Sequence, residues 1–331
     1  MYAASENTGK EKSNIDYNAL NEYVVETAQL QEGETLIGIV AGIVDLGTQK
    51  QPDSEMPFGG TEQDEADEID KNSNTYFKDG YDFATKKNVR MKCWPNKPVQ
   101  CVALAIDFPD IIIDKGQFFG ESKPLPLRIW MGGQFYTQEH GMVIGRPIPL
   151  KVNKKLGALS FDVKHQMYKM AVDSKLIKTG QPFAPKQIDE LLGKAFQFKA
   201  QVFMKPGKDG KEYYTEYIKY VGGLGRGQSS PEYELEPFMI QFNSKNSEEK
   251  MKELRWHVIN TIKQASNYPG SAIEAQLDEV AESKGSSIES KVKEEKPKAV
   301  VTPSKPVASK PKAKVVPAST GFDDDGDQSP F

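Results

Sequence analysis

Several stretches of this chain change side-chain chemistry with a period of two. Val89, Met91 and Cys93 alternate with Arg90, Lys92 and Trp94, and Leu125, Leu127, Ile129 and Met131 alternate with Arg128 and Trp130. Phe196, Phe198, Ala200, Val202 and Met204 alternate with Gln197, Lys199, Gln201, Phe203 and Lys205, while Tyr213, Thr215, Tyr217 and Lys219 share a parity further on. Successive side chains on a strand point to opposite faces, so each stretch predicts a strand with one apolar face for a core. The other face mixes cations with aromatic rings. A chain built this way is restricted to sheet architectures that bury one side and present the other.

The remaining pattern fills in a mostly β core. The β-branched run at 35–44 reads as a buried strand. Further strands are expected at 89–94, 99–107, 111–114, 126–131, 194–205 and 212–221, with Pro206-Gly207-Lys208-Asp209-Gly210 closing the last two as a hairpin. Helices are expected at 15–30, at 163–177 with Gly180 as a stop signal, and at 185–192. Ser247 reads as an N-cap before Glu248 and Glu249, with Met251, Leu254, Val258 and Ile262 as the apolar stripe of the helix that follows; another helix is expected at 272–283. Residues 51–72 hold Pro52, Gly59-Gly60 and eight carboxylates, which predicts a loop or insertion facing water.

Charge is partitioned along the chain. Residues 1–70 carry 3 Lys/Arg against 16 Asp/Glu, residues 71–230 carry 26 against 14, and residues 231–331 carry 14 against 17. The middle segment is therefore +12 although the whole chain is −4. Phosphate binding follows the local field, so the acidic total does not argue against a nucleic-acid partner. Exposed rings stack on unpaired bases while cations track phosphates, which makes the cationic-aromatic strand faces candidates for sequence-tolerant single-strand binding. The candidates are Arg90, Lys92, Trp94, Arg128, Trp130, Lys199, Phe203, Lys205, Tyr213, Tyr217, Lys219 and Arg226. For any one ring or cation, burial against an insertion or simple solvation is an equal reading; the set as a whole favours nucleic acid.

The chain closes on Gly321-Phe322-Asp323-Asp324-Asp325-Gly326-Asp327-Gln328-Ser329-Pro330-Phe331, behind a Lys/Pro/Ala/Val/Ser-rich stretch. That stretch has too little apolar surface to offset the entropy of ordering it, so a mobile tether presenting an acidic-aromatic peptide is expected. Phe322, Asp323, Asp324, Asp325, Asp327, Pro330 and Phe331 are the candidate protein-interaction residues. This ending resembles the C-terminal tail of bacteriophage single-stranded DNA-binding proteins, although Gln328-Ser329 separates the acids from Pro-Phe. The resemblance, together with the basic β core, implies an enlarged OB-fold-like antiparallel barrel with insertions and one or two helices, mainly β (α+β). It divides into an arm (1–30), a core that binds single-stranded DNA (31–245), a helical segment (246–283), and a disordered linker and tail (284–331). The implied function is non-catalytic coating of single-stranded DNA in phage replication, recombination or repair, in the cytoplasm of a bacterial host. The tail would recruit a polymerase, helicase, primase or nuclease, and it could compete with DNA for the basic groove. A strand-annealing recombination protein or nuclease, and a scaffolding protein, are the alternatives.

Other chemistry is thinly represented. The glycine-rich 221–228 lacks the Gly-Lys-Ser/Thr ending of a phosphate-binding loop. His140, His165 and His257 are scattered, and Cys93 and Cys101 have no second pair, so neither a metal nor a cofactor is expected. The acidic run at 64–68 reads as solvated rather than as a metal-ion nuclease site. No run reaches the roughly 18 to 20 apolar residues that span a bilayer, the first residues carry no export signal, and oligomeric state is left open.

Overall fold

The computed structural model describes residues 15–132, 146–154, 158–207 and 210–283, all within the compact unit Met1–Ile288. The expected linker and acidic tail lie outside the described residues. Helix α1 (Tyr17–Ala28) begins on Asp16, whose carboxylate accepts the N–H groups of Asn18 and Ala19, and it buries Leu20, Val24 and Ala28. Strand β1 (Thr35–Gln49) runs past the expected end at residue 44 and is buried over most of its length. Its register slips between Val40 and Gly42 and again between Asp45 and Thr48. Such bulges bend a strand. At the second, Gly47 takes a φ of +74° and donates its N–H to Asp45 at 2.9 Å.

The chain then makes an excursion out of the main sheet. Strand β2 (Ser54–Pro57), helix α2 (Glu62–Lys71), strand β3 (Tyr76–Asp82) and strand β4 (Lys87–Trp94) form a three-stranded sheet, in the order β2-β4-β3, with a helix against it. Of the loop or insertion facing water expected over 51–72, the structure has the insertion, with a strand and a helix of its own where no regular structure was expected. Thr61 and Asp64 close a capping box that starts α2. The helix turns Glu65 and Glu68 toward the sheet instead of an apolar stripe, so hydrophobic periodicity gave no sign of it.

Strand β5 (Val99–Asp114) returns to pair with β1 and replaces two expected strands by one, with a register shift between Phe108 and Ile112. After a short helix α3 (Gly116–Phe119), strand β6 (Pro124–Met131) pairs with β5. The short strands β7 (Ile148–Pro149), β8 (Val152–Asn153) and β9 (Ser160–Phe161) lead to helix α4 (Gln166–Asp173), half the expected length, and to a 3-10 helix at Pro185–Leu191. Strands β10 (Ala195–Pro206) and β11 (Glu212–Gly222) form the expected hairpin, and β12 (Phe238–Ile240) lies parallel to β1. The main sheet therefore has seven strands, mostly antiparallel, in the order β11-β10-β1-β5-β6, with β12 on β1 and β7 on β5. Among the described residues no ladder joins β6 to β11, so the expected barrel is not closed.

Both faces of the central strands are buried. One core packs Leu20 and Val24 of α1 and Met167 of α4 against Ile43, Leu104, Ile106, Phe196 and Phe198. The other packs Val44, Leu46, Trp130 and Phe238 beneath helices α5 (Glu248–Lys252), α6 (Trp256–Lys263) and α7 (Ala272–Ser283). The expected single helix after Ser247 breaks into α5 and α6, yet Met251, Leu254, Val258 and Ile262 are all buried as its stripe requires. Among the described residues no helix is long and apolar enough to cross a membrane.

Candidate nucleic-acid interface

The β10–β11 hairpin brings together six of the twelve candidate residues. Its register sets Lys199 opposite Lys219, Gln201 opposite Tyr217, Phe203 opposite Thr215 and Lys205 opposite Tyr213. Directly opposed residues share a face in an antiparallel pair, so Lys199, Phe203, Lys205, Tyr213, Tyr217 and Lys219 lie on one side. The alternate set, including Phe198, Ala200, Val202 and Ile218, packs into the core. The three lysines are exposed, Tyr217 is 46% exposed, and Phe203 and Tyr213 are half-buried. Thr215 is buried at the middle of this face. The surface is anchored from behind by the core and carries both ingredients of single-strand binding, cations and rings.

The candidates on β6 belong to the interior instead. Trp130 is fully buried, with Phe238 and His257 edge-on to its ring at 6.4 and 6.3 Å. Arg128 gives Nε and Nη2 to the buried Asp107 at 2.6 and 2.9 Å, pairs with Glu253, and stands 5.2 Å over the Phe238 ring. Tyr233 also donates to Asp107, at 2.9 Å. Trp130 is therefore corrected from a DNA face to the second core, and Arg128 is held by Asp107 and Glu253 at the wall of a cavity beside it: helices α5 and α6 and strand β12 pack on this side of β6, which period-two alternation alone cannot reveal.

The candidates on β4 share one face of the small sheet, as expected, but α2 reaches them first. Arg90 is gripped by both oxygens of Glu65 at 2.7 and 3.0 Å and by Asp79 at 3.3 Å. Lys92 pairs with Glu68, whose second partner is Lys71. These cations hold the Glu68 carboxyl down to about 2 and the Glu65 carboxyl below its ordinary value. Trp94 is half-buried. On the same face as Arg90 lie Tyr81, 47% exposed, and beyond it Phe83 at the hairpin tip, 74% exposed. Neither was singled out from the sequence, because the strand that carries Tyr81 is mostly polar; an isolated Tyr-x-Phe in a Lys/Asp turn was the only signal.

Arg226 is exposed in the loop after β11. That loop is pinned to β10 through Gln228, which accepts from the Gly225 N–H at 2.6 Å and from Gln197. His165 caps α4 and its Nε2 meets the Pro149 carbonyl at 2.8 Å; His257 is buried, and burial pushes its pKa down to about 4. His140 and the tail residues Phe322 to Phe331 lie outside the described residues. No group of three or more His, Cys, Asp or Glu among the described residues is arranged to hold a metal ion. A cavity of about 640 Å³ is lined by Lys115, Lys123, Arg128, Lys250 and Arg255 together with Asp107, Glu121, Glu236, Glu249 and Glu253, so its charges are balanced. No model of a known protein family matches the chain, and neither a curated protein nor a solved structure is found to resemble it.

Proposed function

We propose that the protein is a non-catalytic single-stranded DNA-binding protein, and that the outer face of the β10–β11 hairpin is its principal DNA surface. The reading rests on one observation: a two-stranded face carrying Lys199, Lys205 and Lys219 with Tyr213, Tyr217 and Phe203, braced by the core behind it. Cations at strand spacing track a phosphate backbone, and the rings between them stack on bases without reading their sequence. We take the open, mainly antiparallel sheet as a distant variant of the OB-fold plan, in which one strand face and its loops meet the oligonucleotide. Recruitment of replication or recombination enzymes through Phe322, Asp323–Asp325, Asp327, Pro330 and Phe331 is part of the same proposal, as is action within a phage replication system.

The test is fluorescence anisotropy of labelled oligo-dT against labelled duplex, at two salt concentrations, for the full chain and for K199E/K219E. Preference for the single strand, a steep fall with salt, and loss of binding in the variant are expected. Equal affinity for duplex and single strand, or a variant that binds as well as the original, overturns the reading. Because Trp130 is buried, tryptophan quenching would report poorly on this face.

A further inference from the structure

Helix α2 is amphipathic in the wrong sense. A surface helix ordinarily turns its apolar stripe to the protein and its charges to water. In α2 no residue is buried; only Glu65 and Glu68 are partly withdrawn from solvent, while Ile69 is 40% exposed. Six of its ten residues are carboxylates, against the single cation Lys71. The chain is fastened just before the helix, where the Phe58 N–H donates to the Arg90 carbonyl at 2.8 Å and the Phe58 ring packs on Phe77 at 4.7 Å. The body of the helix, by contrast, meets the sheet through Glu65 on Arg90 and Glu68 on Lys92. Both pairs remain partly open to water, so they weaken with salt.

What the two glutamates grip looks like half of a binding site. Arg90 and Lys92 are two residues apart on one face, roughly 7 Å along the strand, and their partners are paired carboxylate oxygens on a helix of high negative charge. The same face continues past α2 to Tyr81 and Phe83, whose rings stand edge to face at 5.0 Å. The turn that carries Phe83 is fixed by Asp82, which accepts the Ala84 N–H at 3.0 Å and the Thr85 hydroxyl. Lys86, at a φ of +56°, is exposed in the same turn. Two large rings held in water on a rigid turn, next to cations already holding anionic oxygens, have the chemistry of a stacking platform for unpaired bases.

We propose that this face of the small sheet is a second site for single-stranded nucleic acid, with Arg90 and Lys92 taking phosphates and Tyr81 and Phe83 stacking bases, and that α2 occupies it as a built-in phosphate mimic until a strand displaces it. The proposal rests on the single-strand reading above and adds a second surface and its cover. Displacement exchanges two carboxylate contacts for two phosphate contacts. The site therefore opens at little net cost on a strand long enough to be held elsewhere as well.

The experiment compares the full chain with E65Q/E68Q, which keeps side-chain size and removes the two charges that hold Arg90 and Lys92. Binding of a long labelled oligo-dT is read by anisotropy across a salt series. The variant is expected to bind about three- to tenfold tighter at low salt, with a log–log salt slope steeper by about 1.4, the value for two further phosphate contacts on a single strand. Adding Y81A/F83A should abolish the gain. If the Gln substitutions unfold α2, the site is uncovered and the same gain is expected. An unchanged affinity and slope in E65Q/E68Q, while K199E/K219E still abolishes binding, overturns this inference and leaves the principal surface standing. No binding by any of the proteins overturns the single-strand reading itself.

Discussion

Arg255 and Glu216 together stand in for a missing strand neighbour. Arg255 pairs with the Glu216 carboxylate on β11 and, through its other terminal nitrogen, donates to the Arg128 carbonyl on β6 at 2.8 Å. Glu216 in turn accepts the Trp130 N–H on β6 at 3.4 Å. A carbonyl and an N–H of the unpaired edge are thus satisfied by side chains where no ladder forms, which is how an open sheet avoids orphaned backbone groups.

Removing one partner of that pair should be severe. Arg255→Ala leaves the Glu216 carboxylate, 2% exposed, without its counter-charge and leaves the Arg128 carbonyl unpaired. A loss of about 3–5 kcal/mol is expected for breaking a buried pair on one side. Urea denaturation checks it, and R255A/E216Q should recover part of the loss, because the neutral amide needs no cation.

Acid should weaken the protein through His257. Its ring is buried beside Trp130, with Glu216 and Arg255 as the charged groups near it, and its Nε2 has no hydrogen-bond partner among the described residues. Burial lowers its pKa from an ordinary 6.5 to about 4 in the folded state. The unfolded chain therefore takes up a proton first: this stabilising contribution is complete above pH 6.5 and is lost as pH falls toward 4, by up to about 3 kcal/mol. Thermal unfolding followed from pH 7 to 4 should show the decline, and His257→Phe should flatten it. Below that range the Glu68 carboxyl, held down to about 2 by Lys71 and Lys92, adds its own loss as it is protonated.

Period two located the β10–β11 surface because that hairpin is one-sided: Phe198 and Val202 face the core while Lys199 and Phe203 do not. The same reasoning failed at Trp130, since β6 is covered on both sides by elements distant in sequence, and a large ring reads alike whether it meets a base or Phe238. It failed at α2 because the helix is held by charge and a capping box, neither of which leaves an apolar period. The open edge was illegible too: Arg255 lies 39 residues from Glu216 and 127 from Arg128. No local pattern couples them.

Gly42 should tolerate no side chain. The parallel pairing of β12 sets it opposite Phe238, and a Cβ built there would lie 2.3 Å from the Phe238 ring. That ring also packs against Trp130 and beneath Arg128, so it has nowhere to retreat. Gly42→Ala is expected to cost about 1–3 kcal/mol by overpacking, seen as a lower thermal midpoint. Ile43→Val, one position along and facing the other core, should cost about 1 kcal/mol.

If the hairpin face binds DNA as proposed, Tyr217 and Lys219 separate the two contributions to its affinity. Tyr217 is 46% exposed opposite Gln201, and Lys219 is exposed opposite Lys199. Stacking is largely indifferent to salt, whereas a phosphate contact releases counterions. Tyr217→Ala should therefore weaken oligo-dT binding by about 1–3 kcal/mol at every salt concentration and leave the slope unchanged. Lys219→Gln should weaken binding most at low salt and flatten the slope by about 0.7. Neither substitution touches the core, so both proteins should unfold at the original temperature. A Tyr217→Ala protein that binds as tightly as the original would mean that this ring does not meet a base.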